Sequence, residues 1–432
     1  MNRKFITALT MALTIPLCGY SQDSTGINTG DTAWMLIATA LVMLMTPAGL
    51  TLFYGGLTQR KSVLNTIGMS YTAFCTATLV WVIIGYSFAF GSGNNFIGGF
   101  EYFMLNSIKI DDLSGTIPHL LYVMFQGTFA AIAVALVSGS IIERVKFSTW
   151  IIFSILWVAL IYSPIAHMVW GGGILSNHGE LDFAGGTVIH INAGISGLVL
   201  TYMLGNRRDH HSDDNRPSST KLMLLGSSLL WFGWFGFNGG SQLAADFIAA
   251  NAILVTNVAA AAGGFTWLLI EWSTSDKKPT LLGSASGVVS GLVGITPASG
   301  YVDVTGALVI GMFSGAIGYF GVVKLKNMLG YDDTLDVFGI HGLVGIFGAI
   351  ATGFLANPEI NGAAGLFYGN PGQVWSQLVA VVATIAFAGI GSAILFKVTT
   401  LITGGGRVDD NLEDQGMDIG YHGEESFDTV DN

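Results

Sequence analysis

The chain has 432 residues, 51% of them apolar and only 10% Asp, Glu, Lys or Arg, with a formal net charge of −11. A soluble domain carries about 25% charged residues, so this composition excludes an ordinary soluble enzyme and a disordered chain. The missing basic footprint excludes a nucleic-acid binder. What remains is a polytopic membrane protein in contact with lipid. Two cysteines, Cys18 and Cys75, can build neither a disulfide framework nor a thiolate metal site.

In chain order, Met1-Asn2-Arg3-Lys4 gives a basic start and Phe5 to Leu17 an apolar run. Gly19 and Ser21 supply the small residues a cleavage site wants, so residues 1–21 read as a secretory signal peptide. The run is too short to span a bilayer. Pro16 and Leu17 stand where a lipoprotein site at Cys18 would want small residues.

Eleven long apolar segments follow, at about 33–57, 62–91, 118–142, 147–170, 185–205, 222–241, 247–271, 280–300, 304–324, 337–356 and 374–401. Each reaches the ~20 residues a spanning helix needs. None alternates like a barrel strand. The expected fold is an all-α membrane protein of eleven transmembrane helices, with the membrane domain at 22–403 and a polar tail at 404–432.

The basic residues test this count. Arg60, Lys61, Arg144, Lys146, Arg207, Arg208, Arg216, Lys221, Lys277, Lys278, Lys324, Lys326, Lys397 and Arg407 fall on one side of the alternating connections, and Lys109 alone on the other. Arg3 and Lys4 belong to the signal peptide. The expected topology in the cell's inner (plasma) membrane has the mature N-terminus outside and the C-terminus in the cytoplasm.

The chain also repeats itself. Asp182 precedes His190, Gly194 and Gly197 at the spacing with which Asp333 precedes His341, Gly345 and Gly348. The fifth and tenth segments would run in opposite directions. Phe53-Tyr54-Gly55-Gly56 in the first segment is echoed by Phe237-Asn238-Gly239-Gly240 in the sixth. Five-helix repeats of opposite orientation, here followed by one extra C-terminal helix, are the pattern of an inverted-repeat transporter. Eight helical residues rise about 12 Å, which would bring both histidines from opposite interfaces toward the midplane.

His190 and His341 are the ionisable groups well inside the segments, with His119 and His167 near segment ends. A buried ionisable group in a membrane is a functional candidate by default. Two neutral imidazoles offer donors and acceptors that could pass a proton or hold a small polar molecule. The structural alternative is a neutral histidine bonded to a backbone carbonyl. Two ligands are too few for a zinc site, and a haem pair would make a redox protein with a visible absorption band. No metal or cofactor is expected. The glycines after each histidine permit close helix approach. Asp182 and Asp333 are expected to cap the helices that follow, the alternative for Asp182 being attraction of a cation. The aromatics around Phe125–Phe129, Trp170 and Trp231–Asn238 fit either packing or cation binding by ring faces.

Taken together, these motifs resemble the Amt/MEP/Rh superfamily of ammonium transporters, on the bacterial Amt side. The match is carried by Asp182-Phe183-Ala184-Gly185-Gly186-Thr187-Val188-Ile189-His190-Ile191-Asn192-Ala193-Gly194, by Phe125-Gln126-Gly127-Thr128-Phe129, and by His167-Met168-Val169-Trp170-Gly171-Gly172-Gly173. Trp234-Phe235-Gly236-Phe237-Asn238 through Ser241, and Asp336-Val337-Phe338-Gly339-Ile340-His341-Gly342, complete it. The resemblance implies a homotrimer with one pore per subunit and no enzyme activity. It implies that Phe129, Trp170 and Ser241 bind ammonium and that Phe129 and Phe237 gate the pore. It implies that His190 and His341 line that pore and relay a proton, and that Asp182 supports the recruitment site. Gly416-Met417-Asp418-Ile419-Gly420-Tyr421-His422-Gly423-Glu424 in the tail suggests docking of a P-II signalling protein of the GlnK type. The rival function is an ammonium sensor reporting to a cytoplasmic partner, which the lack of a signalling domain after the last segment weakens.

Overall fold

The computed structural model describes residues 26–210, 216–274 and 277–426, so the signal peptide expected over 1–21 lies outside the described residues. The described residues are helical apart from loops and one short ribbon, Leu113–Ser114 paired with Ile117–Pro118. Every one of the eleven apolar segments is occupied by a helix. These are α1 (Thr29–Leu57), α2 (Arg60–Phe90), α3 (His119–Ser138), α4 (Phe147–Asn177), α5 (Gly186–Leu204), α6 (Thr220–Gly240), α7 (Phe247–Thr274), α8 (Leu281–Ile295), α9 (Val304–Leu329), α10 (Phe338–Leu355) and α11 (Gly372–Ile402). Nine of them are long and apolar enough to cross a membrane, and α8 is a shorter apolar helix. α8 stops before its expected end because Pro297 follows and has no N–H with which to continue the hydrogen-bond ladder, although Thr296 before it is still helical.

Local chemistry sets the helix starts. Ser219 accepts from the Leu222 N–H, Thr280 from Gly283 and Asp303 from Gly306, each satisfying an orphan donor of the first turn. The charges then sort the two faces. At the start of α1, Asp31 accepts from the Thr116 hydroxyl and the Ala245 N–H, tying three connections together. At the other end of α1, Thr58 meets Glu143. Around Glu143 the buried Arg207 binds both Glu143 and Asp332, while Arg144 donates to the Asp332 and Gly205 carbonyls. Burial pushes the Asp332 carboxyl up, but the Arg207 and Arg144 guanidiniums outweigh it and hold the group well below the usual carboxylate range. The arginines thus gather at the end of the bundle remote from Asp31.

The tail joins the Arg207 face. Asp418 accepts from the Leu64 and Asn65 N–H groups at 3.0 and 2.8 Å. Arg208 pairs with Asp410 and Asp414, and Arg407 with Glu413.

The inverted repeat appears as reciprocal close packing. A Cβ on Gly56, near the end of α1, would strike the Met223 backbone at the start of α6. A Cβ on Gly240, at the end of α6, would strike Ala38 near the start of α1 at 2.8 Å. α5 and α10 pair in the same way. A Cβ on Gly194 would run into the Gly342 backbone, and one on Gly345 would lie 3.1 Å from the His190 Cβ. Only glycine lets these backbones meet, and that contact sets the two histidines side by side.

One expectation fails in detail. Asp182 and Asp333 are not eight helical residues below their histidines. Asp182 lies in a loop before α5 begins at Gly186, and Asp333 in a loop before α10 begins at Phe338. Each histidine sits in a wide π-helical first turn, so its helical rise is about 6 Å or less. Asp336, between Asp333 and α10, takes a left-handed backbone (φ 60°) held by Lys326, which bonds both its carboxylate and the Asp333 carbonyl.

Candidate functional site

On the Asp31 face a cavity of about 300 Å³ is lined by Tyr122, Gln126, Phe129, Trp170, Glu180, Asp182 and Ser241 among others. Three of the residues singled out from the sequence, Phe129, Trp170 and Ser241, therefore share one wall system although they come from α3, α4 and the end of α6. Phe129 and Trp170 have ring centroids 6.0 Å apart. The Trp170 indole N–H donates to the Asp182 carbonyl at 2.8 Å, which fixes the ring plane. The Ser241 hydroxyl donates to the Phe237 carbonyl at 2.8 Å. Its proton is thereby committed and its lone pairs remain for an incoming donor.

Asp182 itself is spent on the backbone. Oδ1 accepts from Gly185 and Gly186 and Oδ2 from Thr187 and Val188, at 2.7–3.1 Å. Of the two roles open to it from sequence, the helix cap is the one the geometry realises. Its symmetry mate Asp333 is less engaged: Oδ2 accepts from Phe338 at 2.7 Å, and Oδ1 has no hydrogen-bond partner among the described residues.

Below the cavity, Phe129 and Phe237 stack at 4.4 Å with a 44° tilt, both almost fully buried. Phe237 is 6.2 Å from the His190 ring. His190 and His341 follow, with Nδ1 atoms 3.2 Å apart and ring planes within 21° of parallel. A hydrogen bond between two Nδ1 atoms needs one ring protonated there and the other not. The pair is thus held as complementary tautomers, one ring donating and the other accepting at Nδ1. Moving that proton alone would leave an imidazolium beside an imidazolate, so exchanging the tautomers also requires a proton to leave one Nε2 and another to arrive at the other. His190 Nε2 has no partner among the described residues. Around the pair, Leu50, Phe53, Ile132, Leu136, Leu230, Trp234 and Val289 leave about 10 Å³, near the room for a single water. One turn beyond Phe53, Leu57 lines a polar cavity of about 360 Å³ on the Arg207 face, with Glu143, Arg207, His210 and Lys326.

The other two histidines lie away from this pair. The His167 Nδ1 and Nε2 atoms are 3.0 and 2.8 Å from the Ala89 and Asn94 carbonyl oxygens, of which a neutral ring can donate to one, and His119 Nε2 bonds the Tyr86 hydroxyl. No group of three or more His, Cys, Asp or Glu suited to a metal occurs among the described residues.

Sequence reasoning does not reach two features. Trp234 stacks on His190 at 5.5 Å and 18°, although the sequence shows it only as one aromatic in a run. Glu180 lines the Trp170 cavity, and its only sequence signal is an acidic residue two positions from Asp182.

A helical bundle with inverted halves, two cavities and a narrow apolar constriction between them defines a membrane transport protein. Comparison with known proteins makes the assignment specific. Residues 33–427 match the family described as "Ammonium Transporter Family". The chain is 49% identical over 403 residues to an ammonium transporter of Aquifex aeolicus, covering 93% of this chain and 94% of that one. Its fold is similar to Saccharomyces cerevisiae Mep2 (TM-score 0.83, 35% identity, 89% of this chain and 91% of the other). It is also similar to a structure titled "Sensor Amt Protein" (TM-score 0.84, 27% identity, 91% and 98%). The chain belongs to the ammonium transporter family, within the Amt/MEP/Rh superfamily.

Proposed function

We propose that this protein carries ammonium nitrogen across the membrane by binding ammonium in the Trp170 cavity and passing ammonia, with or without the proton, between the histidines. The observation that carries the reading is the succession of sizes and polarities along one line. A 300 Å³ cavity with ring faces and a hydroxyl acceptor leads through the Phe129–Phe237 stack to a 10 Å³ apolar space at two histidines. A cation in the first is served by ring faces worth about 0.5–2 kcal/mol each. A hydrated cation does not fit the second, and a bare one there is costly. Loss of a proton before the constriction removes that cost. His190 and His341, already sharing one proton, offer it a separate route.

In the same reading Phe129 and Phe237 are the gate. The Trp170 cavity faces outward, the C-terminus lies in the cytoplasm of a cell whose inner membrane holds the protein, and residues 1–21 are removed. The protein works as a homotrimer without a cofactor. The docked tail forms part of a surface on which a P-II (GlnK-type) protein would be read. The experiment is electrical recording from proteoliposomes under ammonium gradients. Replacing both His190 and His341 by Leu should abolish the ammonium-evoked current, and an unchanged current in that variant removes the relay.

A further inference from the structure

The Trp170 cavity contains an acidic group that the reading above does not use. Glu180 lies on its wall, two residues before Asp182. Both Glu180 carboxyl oxygens are buried and neither has a hydrogen-bond partner among the described residues. The N–H groups of Gly185 to Val188 at the start of α5 are all taken by Asp182, and the Leu181 N–H is taken by Gln377. A second wall residue repeats the pattern. Gln126 is 7% exposed, and its Oε1 is also buried without a partner. The Thr187 hydroxyl, three residues before His190, is buried beside Glu180 and makes no hydrogen bond of good geometry.

Buried polar groups are ordinarily paired, and an unpaired carboxylate in particular is expensive. The balance here is one-sided: two carboxyl oxygens and the Gln126 Oε1 are open acceptors, and the Thr187 hydroxyl is the donor that faces Glu180. A small cation with several N–H groups supplies what is lacking, at a place where Phe129, Trp170 and Ser241 already provide ring faces and a lone pair. We infer that Glu180 is a further binding residue for the cation recruited in this cavity, a carboxylate whose charge is compensated by the monovalent ammonium-type ion, with the Gln126 carbonyl as a second acceptor. The inference rests on the recruitment role proposed for that cavity.

The empty cavity then has a definite alternative state. Burial first, and the neighbouring Asp182 charge second, push the Glu180 carboxyl up to about 8. Without a cation the group takes a proton near neutral pH, and the arriving cation displaces it. The other titratable groups on this cavity are Asp182, Tyr122 and Tyr301, and none of them carries an acceptor left open in this way.

The test is methylammonium uptake by the full chain in proteoliposomes. Wild type, Glu180→Gln and Glu180→Asp are compared across external pH 7–9, with Ser241→Ala beside them. The Gln side chain keeps shape and loses charge. A charge-assisted hydrogen bond is worth enough for the half-saturation concentration to rise about tenfold in Glu180→Gln at pH 9, with the maximal rate unchanged. Glu180→Asp should restore part of the affinity. Wild-type half-saturation should fall as pH rises through about 8, because the carboxylate forms there, and Glu180→Gln should be flat. Equal half-saturation in wild type and Glu180→Gln overturns the inference, as does a change confined to the maximal rate. If Glu180→Gln does not reach the membrane, a pH-independent wild-type half-saturation overturns it. Failure of the recruitment reading looks different: Ser241→Ala would then leave half-saturation untouched.

Discussion

Asp182→Ala is the substitution whose consequence is best worked from the structure. The carboxylate is 6% exposed and accepts four backbone N–H bonds at 2.7–3.1 Å. An ordinary N-cap exchange costs about 1 kcal/mol, with one donor orphaned. Here four buried donors lose their acceptor together. At about 1 kcal/mol each, the low end for an unsatisfied buried group, the loss is about 4 kcal/mol. Asn retains one oxygen and should fall between. The same loop carries the carbonyl that holds Trp170, so the altered protein should also lose affinity for methylammonium. Thermal unfolding in detergent, followed by tryptophan fluorescence, reads the first effect, and uptake reads the second. The reasoning is refuted if both Asp182→Ala and Asp182→Asn melt with the wild type. An Asp182→Asn protein of full stability but poor half-saturation would return Asp182 to the role of a cation attractor.

Three other outcomes are expected. Gly194→Ala places a methyl group against the Gly342 backbone, which has no flexible end to move. Overpacking of this kind costs about 1–3 kcal/mol and should part the histidines, so transport is lost. Gly389→Ala, whose nearest neighbour is the Ile195 side chain at 3.5 Å, should transport normally, and equal activity of the two variants would count against the helix crossing as the device that positions the pair. Ser241→Ala removes the lone-pair acceptor and should weaken methylammonium binding about tenfold, as competition assays would register. Asp332→Asn should lower the melting temperature at pH 7, because the Arg207 ion pair holds the folded carboxyl below its unfolded value. That stability is fully present above about pH 4, the unfolded value, and is lost as pH falls below it. The gap between wild type and Asp332→Asn should therefore persist from pH 7 to pH 5 and narrow only under stronger acid.

Much of this molecule is written along the chain. The apolar segments state where helices run, because each must hide about twenty residues of backbone from lipid. The sorting of Arg and Lys states which connections share a face, and Arg144, Arg207 and Arg407 do gather at one end. The paired Asp, His and Gly spacing states the inverted repeat. The motif residues Phe129, Trp170 and Ser241 line one cavity.

The tertiary structure decides what those residues are free to do. Asp182 and Asp333 have the same sequence pattern, yet the first binds four N–H groups and the second one. Helix starts set that difference, and they depend on the loops that precede them. Trp234 meets the His190 ring only because α6 faces α5. Lipid is as apolar as a protein core, so hydropathy cannot tell which side of a spanning helix meets its neighbours. Glu180 is the sharpest case. Its meaning comes from donors that other groups have already taken, and which donors are taken is fixed only when the chain has folded.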